Sequence, residues 1–181
     1  MPGLGLSLML FAGCQLRETD HPLAHVEHIE LCALLPAWPV AGMKQVSFPS
    51  PEPGLTGVCN LVDTHGDLQL NLALVNNRAL TGKLSQDTER LFSIKRQEAA
   101  ANGGIAPTAL GAGDWRHAIA FRLGETRLVL IEDRGILLSL QSRTLAPNEI
   151  EAYARRVATA LRTADAVRAT TSSSAAASPR P

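Results

Sequence analysis

Hydrophobic and polar positions alternate most strictly where Leu68, Leu70, Leu72 and Leu74 interleave with Gln69, Asn71 and Ala73. A period of two predicts a strand with one buried face. Gly57 to Val62 precedes it, with Cys59 and Leu61 on one face, and Asp63-Thr64-His65-Gly66 supplies turn chemistry between them, so the two runs predict a hairpin. Three more strands are predicted over 115–123, 127–132 and 136–141. Gly124-Glu125 and Asp133-Arg134-Gly135 are short enough for tight turns and make these strands a meander. Helical spacing is clearest from Pro147 to Thr163, where Ile150, Tyr153, Ala154, Val157 and Leu161 mark one face and Pro147 suits the first helical position. Ser85 to Ala101 predicts a second helix, with Ser85 as N-cap, Asp87 and Glu89 at its positive end, and Asn102-Gly103-Gly104 as its stop. His21 to Met43 reads as helix interrupted by Pro36 and Pro39.

The resulting order is α-β-β-α-β-β-β-α. Local turns make the sheet antiparallel, so the expected fold is α+β, an antiparallel sheet of about five strands flanked by helices. The ends of the chain differ from this middle. Leu4 to Ala12 is an apolar run too short to span a bilayer, but it fits the core of a signal peptide. It closes on Leu10-Phe11-Ala12-Gly13-Cys14, which resembles a bacterial lipobox, the motif whose cysteine is acylated and becomes the mature N-terminus. Phe11 stands where Leu is usual, and no Lys or Arg precedes the run, which leaves open whether Met1 is the true start. After Ala164 the composition turns to Ala, Ser, Thr and Pro, which forms no core and predicts a disordered tail. The expected organisation is a lipoprotein-type signal segment over 1–13, a tether over 14–29, one α/β domain over 30–163 and a tail over 164–181.

Cysteine usage fits export. With Cys14 lipidated, Cys32 and Cys59 remain, and an even remainder in an oxidising compartment reads as one disulfide. It would close a loop of about 28 residues, worth roughly 3 kcal/mol in the chain-entropy model. The alternative is a pair of buried thiols in a cytosolic protein. Charge then narrows the partners. Lys+Arg 17 and Asp+Glu 17 cancel, so there is no electrostatic case for nucleic acid or anionic lipid. Aromatic residues are 4% of the chain, too few for stacking platforms that bind bases or sugars.

The element order, together with Cys32-Ala33-Leu34-Leu35 at the first domain helix, Cys59 in the first strand, Leu110-Gly111-Ala112-Gly113-Asp114 before the third strand and the closing amphipathic helix, resembles bacterial lipoproteins with a Mog1/PsbP-like α/β/α sandwich, closest to the actinobacterial DUF3558 type. The resemblance covers roughly residues 30 to 163. It implies an accessory role, docking on envelope complexes or sensing, and brings no shared active site.

Few residues suggest chemistry. His21, His25 and His28 stand at i, i+4 and i+7, and on a helix would share a face able to hold a metal ion; the bland reading is a solvated stretch of tether. His65 falls in a turn and His117 in a strand, and both read as structural or solvent-facing. Ser139 and Ser142 read as surface or ladder positions, and Glu132-Asp133 as ordinary polar residues of a hairpin turn. Gly103-Gly104 and Gly111-x-Gly113 follow no strand into a helix, so no phosphate cradle and no cofactor is expected. Trp38 and Trp115 read as packing residues. The expected function is that of a non-enzymatic, lipid-anchored cell-envelope protein that binds another envelope protein through the sheet edge or the loops at 49–53 and 106–114. The alternative is an exported lipoprotein that binds a small ligand or a metal ion.

Overall fold

The computed structural model describes residues 20–37, 42–47, 54–80, 87–102, 108–111, 113 and 115–163. Its centre is a seven-stranded antiparallel sheet made of β1 (Lys44–Ser47), β2 (Gly57–Val62), β3 (Leu68–Asn76), β4 (Thr108–Ala109), β5 (His117–Leu123), β6 (Thr126–Asp133) and β7 (Ile136–Ser142), in the order β1-β2-β3-β7-β6-β5-β4. Two single turns, α1 (Leu31–Leu34) and α2 (Asn77–Leu80), and two longer helices, α3 (Thr88–Asn102) and α4 (Pro147–Arg162), complete the described elements.

The sheet exceeds the expected five strands by two, β1 and β4. Both lie at its edges, are four and two residues long, and are exposed throughout. Strands this short and this exposed carry no buried alternation that a sequence pattern can register. The order α-β-β-α-β-β-β-α therefore lacks two strands and the turn α2.

The leucines of β3 form the core because alternate side chains share one face. Cys59, Leu61, Leu70, Leu72, Leu74, Val129, Ile131, Leu138 and Leu140 lie on that face with Ile150, Tyr153, Ala154, Val157 and Leu161 of α4 in one buried cluster. Pro147 opens α4, and Glu149 reaches back to accept the Ala146 N–H at 2.8 Å. The Tyr153 hydroxyl donates to the Pro36 carbonyl at 3.1 Å, tying α4 to the segment after α1, and burial raises its pKa to about 12.

Of the interrupted helix expected over 21–43, the described residues keep only α1. Residues 20–30 form a turn and an irregular strap, and they belong to the packed domain rather than to a tether: Leu23, Ala24 and Ile29 are fully buried. The strap is held by Asn76, whose side-chain amide donates to the carbonyls of Leu23 at 2.8 Å and Val26 at 2.7 Å. His21 N–H donates to the Arg134 carbonyl at the β6–β7 turn. That turn needs two left-handed residues, Arg134 (φ 44°) and Gly135 (φ 102°), the geometry that matches the twist of a two-residue hairpin. A Cβ on Gly135 would also lie 2.7 Å from that of Ala24 in the strap.

The signal segment at 1–13, Cys14, the expected N-cap Ser85, Gly103-Gly104, Trp38, the loop at 49–53 and the tail at 164–181 lie outside the described residues. No helix among the described residues is long and apolar enough to cross a membrane.

Candidate ligand groove

Strand register builds the site. On the sheet face opposite α4, side chains align in rows across the strands. One row runs Val75, Leu137, Glu132, His117; the next runs Val58, Ala73, Ser139, Leu130, Ile119; the third runs Asn60, Asn71, Gln141, Leu128, Phe121. Helix α3 lies over this face but covers only part of it. Its Phe92 packs on Ile119, Leu130 and Leu137, which belong to β5, β6 and β7. The β2–β3 side is left as a groove of about 610 Å³ between sheet and helix. One wall is the α3 stripe Leu91, Lys95, Glu98 and Asn102, which the 4-3-4 spacing places along one side of the helix.

The floor is divided. Val58, Val75, Leu137, Leu130 and Leu128 make it apolar, and the small Ala73 and Ser139 deepen its middle. Polar groups gather in one row, where Asn71 Nδ2 donates to Asn60 Oδ1 at 2.7 Å and Gln141 is their neighbour across β7. The pair uses one donor and one acceptor, which leaves the Asn60 side-chain NH2 and the Asn71 side-chain oxygen without a partner among the described residues. The charges on the rim are paired, Lys95 Nζ to Glu98 Oε2 at 2.9 Å. None of the described residues lining the groove is a histidine, a cysteine or an aspartate.

The sequence-derived candidates lie elsewhere. The Cys32 and Cys59 sulfurs are bonded at 1.97 Å with Cα atoms 5.1 Å apart, joining α1 to β2. The three strap histidines do not share a face, because Pro22 and the turn at 21–24 replace the helix on which i, i+4, i+7 spacing depends. His25 pairs with Asp20 at 3.0 Å and His28 with Glu30 at 2.9 Å, both exposed. The His28 hydrogen bond holds the Glu30 carboxyl below its usual range. His21 instead points into the domain, where its Nδ1 accepts the Leu23 N–H at 3.1 Å and its Nε2 is buried with no partner among the described residues. No group of three metal-ligating side chains occurs among the described residues.

Glu132 and Asp133, read from the sequence as ordinary polar residues of a hairpin turn, do stand at the β6–β7 turn, and both are buried. Asp133 receives Arg134 Nε at 3.1 Å and Arg162 of α4 at 2.7 Å. Glu132 accepts from Thr88 Oγ1 at 3.1 Å at the start of α3, and burial pushes its carboxyl upward. Ser142 is likewise internal: its hydroxyl donates to the Gln69 carbonyl at 2.6 Å and accepts the Leu145 N–H, shaping the entry to α4. His65 is exposed in the β2–β3 turn, and His117 stacks on Phe92 at 5.6 Å. Trp115 is half-buried under the Arg155 guanidinium, 5.2 Å from its ring, and covers Gly113 so closely that a Cβ there would meet the indole at 2.1 Å. The groove residues Asn60, Asn71, Ala73, Ser139 and Gln141 were not singled out as a site. Their only signal is being the polar or small half of an alternation, which also describes a solvated face.

No protein-family model matches the chain, and no curated protein matches it. Among solved structures it is similar to a GTP-binding regulator from Thermotoga maritima, at 10% identity over 77% of this chain and 98% of that one, with a TM-score of 0.44.

Proposed function

We propose that the chain is an exported, non-enzymatic binding protein, anchored by a lipid on Cys14, that takes a small amphipathic ligand in the groove between α3 and the sheet. The observation that carries this reading is the groove itself. Its volume of about 610 Å³ falls in the range of small-molecule sites, and its floor combines an apolar body with a few convergent polar groups. Export is supported by the Cys32–Cys59 bond, since disulfides persist in oxidising, non-cytoplasmic compartments. The resemblance to Mog1/PsbP-like lipoproteins agrees with a binding role but names no ligand.

The test is extraction. Full-length protein purified from the envelope in mild detergent is expected to release one amphiphile per chain into organic solvent, read by mass spectrometry. Ala73→Phe and Ser139→Leu, which fill the floor, should each lower the recovered ligand about tenfold while circular dichroism stays unchanged. Equal recovery from folded variants, or none from the wild type, overturns the reading.

A second reading, an accessory subunit that binds another envelope protein, draws on β1. All four of its residues are exposed at the sheet edge, a place where a partner strand can add. A stoichiometric protein crosslinked at Lys44–Ser47 in the same envelope preparation, with the groove empty, would favour it.

A further inference from the structure

We infer that the groove selects a single-chain amphiphile with an uncharged, hydrogen-bonding head, and that the row Asn60–Asn71–Gln141 reads that head. This rests on the groove's being a ligand site, as proposed above. Three observations specify the class.

The first is charge. Lys95 and Glu98 are the charged side chains among the described residues that line the groove, and they neutralise each other at 2.9 Å. An ionic head would enter with no counter-charge left over and would lose its hydration without compensation. The second is hydrogen-bonding capacity. Among the described residues, the Asn60–Asn71 pair keeps an unpartnered donor group and an unpartnered acceptor on a half-buried floor. The Gln141 amide and the Ser139 hydroxyl next to them have no hydrogen-bond partner among the described residues. A head with hydroxyl, ester or amide groups satisfies both donors and acceptors; a carboxylate offers only acceptors and an ammonium only donors.

The third is polarity along the groove. The strand register puts Val75 and Leu137 beside the β6–β7 turn, and the amide row four residues further along β3 and β7. The apolar end therefore adjoins the turn whose Arg134 carbonyl receives His21 N–H, where the chain from Cys14 enters the domain. Six residues reach at most about 20 Å. A lipid on Cys14 thus keeps the apolar end of the groove near the bilayer and the amide row away from it, which suits an acyl chain lying toward the membrane with its head on the amides. A membrane lipid and a free metabolite with this chemistry are both suitable sources.

The test uses the full chain in lipid nanodiscs and three photoactivatable probes with the same twelve-carbon chain: a monoacylglycerol, a fatty acid and an alkylammonium. Labelled peptides are mapped by mass spectrometry. The expected result is labelling of β2, β3 and α3 peptides, about tenfold stronger for the monoacylglycerol than for either ionic probe. Asn60→Leu combined with Asn71→Leu should erase that preference yet keep the labelling. Asn71→Asp, which leaves the shape almost unchanged, is the second variant should the leucine pair fail to fold; it should weaken monoacylglycerol labelling. Equal labelling by all three probes, abolished by Ala73→Phe, overturns the head selection and leaves the ligand site standing. Labelling confined to other peptides overturns both. Labelling by lipid probes in the nanodisc but not by the same monoacylglycerol added from solution assigns the membrane as the source.

Discussion

His21 shows how one residue can change sides between sequence and structure. Read as a tether position, it is instead a buried residue of the strap, with Leu23 N–H on Nδ1 and Nε2 without a partner among the described residues. Burial lowers its pKa from 6.5 to about 4; Asp133 opposes that shift, and Arg162 and Arg134 reinforce it. The unfolded chain binds a proton near pH 6.5, while the folded one refuses it until about pH 4. Stability from this site is therefore complete above pH 6.5 and falls as the pH drops toward 4, by an amount on the order of 3 kcal/mol. His21→Asn places an oxygen where Nδ1 accepts the Leu23 N–H and cannot titrate. Thermal unfolding of wild type and variant across pH 7.5 to 4 should give two curves that diverge below pH 6.5, the wild type losing more. Parallel curves would show that His21 does not titrate on unfolding. Neighbouring Glu132 has the opposite sense, since its raised carboxyl keeps a proton that the unfolded chain releases, and so stability falls as pH rises through that range.

Among the elements, legibility followed burial. The strands β2, β3, β5, β6 and β7 and the helix α4 were readable because each buries one face and repeats at its own period, two or 3.6. Edges β1 and β4 were not, because nothing along them is buried. The strap was misread for a different reason. A helix is expected there from the sequence, but Asn76, 50 residues or more away, binds the strap's carbonyls of Leu23 and Val26. Asn76 and Asn77 tie three elements, since Asn76 holds the strap at the end of β3 and Asn77 accepts Thr88 N–H at the start of α3. The groove was invisible at this scale because exposed and ligand-facing polar rows share one pattern. The disulfide belongs here too, since it fixes α1 to β2 across 27 residues of chain. Cys32→Ser with Cys59→Ser should cost roughly 3 kcal/mol in denaturant unfolding, with a larger m-value because the unfolded chain loses its crosslink and exposes more surface. A loss under about 1 kcal/mol would mean that the Asn76 strap already holds the segment in place.

At the scale of the whole molecule, the strap and the expected lipid act together. The described packing already includes residues 21–29, so a lipid on Cys14 would lie about six residues from it, a separation of at most roughly 20 Å, where a tether running to residue 30 would span roughly 50 Å. A lipidated chain of this kind cannot range over the envelope. With the proposed lipid on Cys14, it would be held at the bilayer surface with the β6–β7 turn and the apolar end of the groove nearest the membrane. The first requirement is the lipid itself. Intact mass of the full-length product from a bacterial envelope should show residues 1–13 removed and a diacylglycerol added at Cys14, and Cys14→Ser should leave the membrane fraction. An unmodified chain, or a Cys14→Ser variant that stays membrane-bound, would remove the anchor and with it the orientation. If the lipid is present, inserting ten Gly/Ser residues after Gln15 should preserve folding and lipidation but reduce monoacylglycerol labelling of the groove from nanodiscs. Labelling by the same probe added from solution should be unaffected, because the longer tether changes where the groove sits and not what it binds.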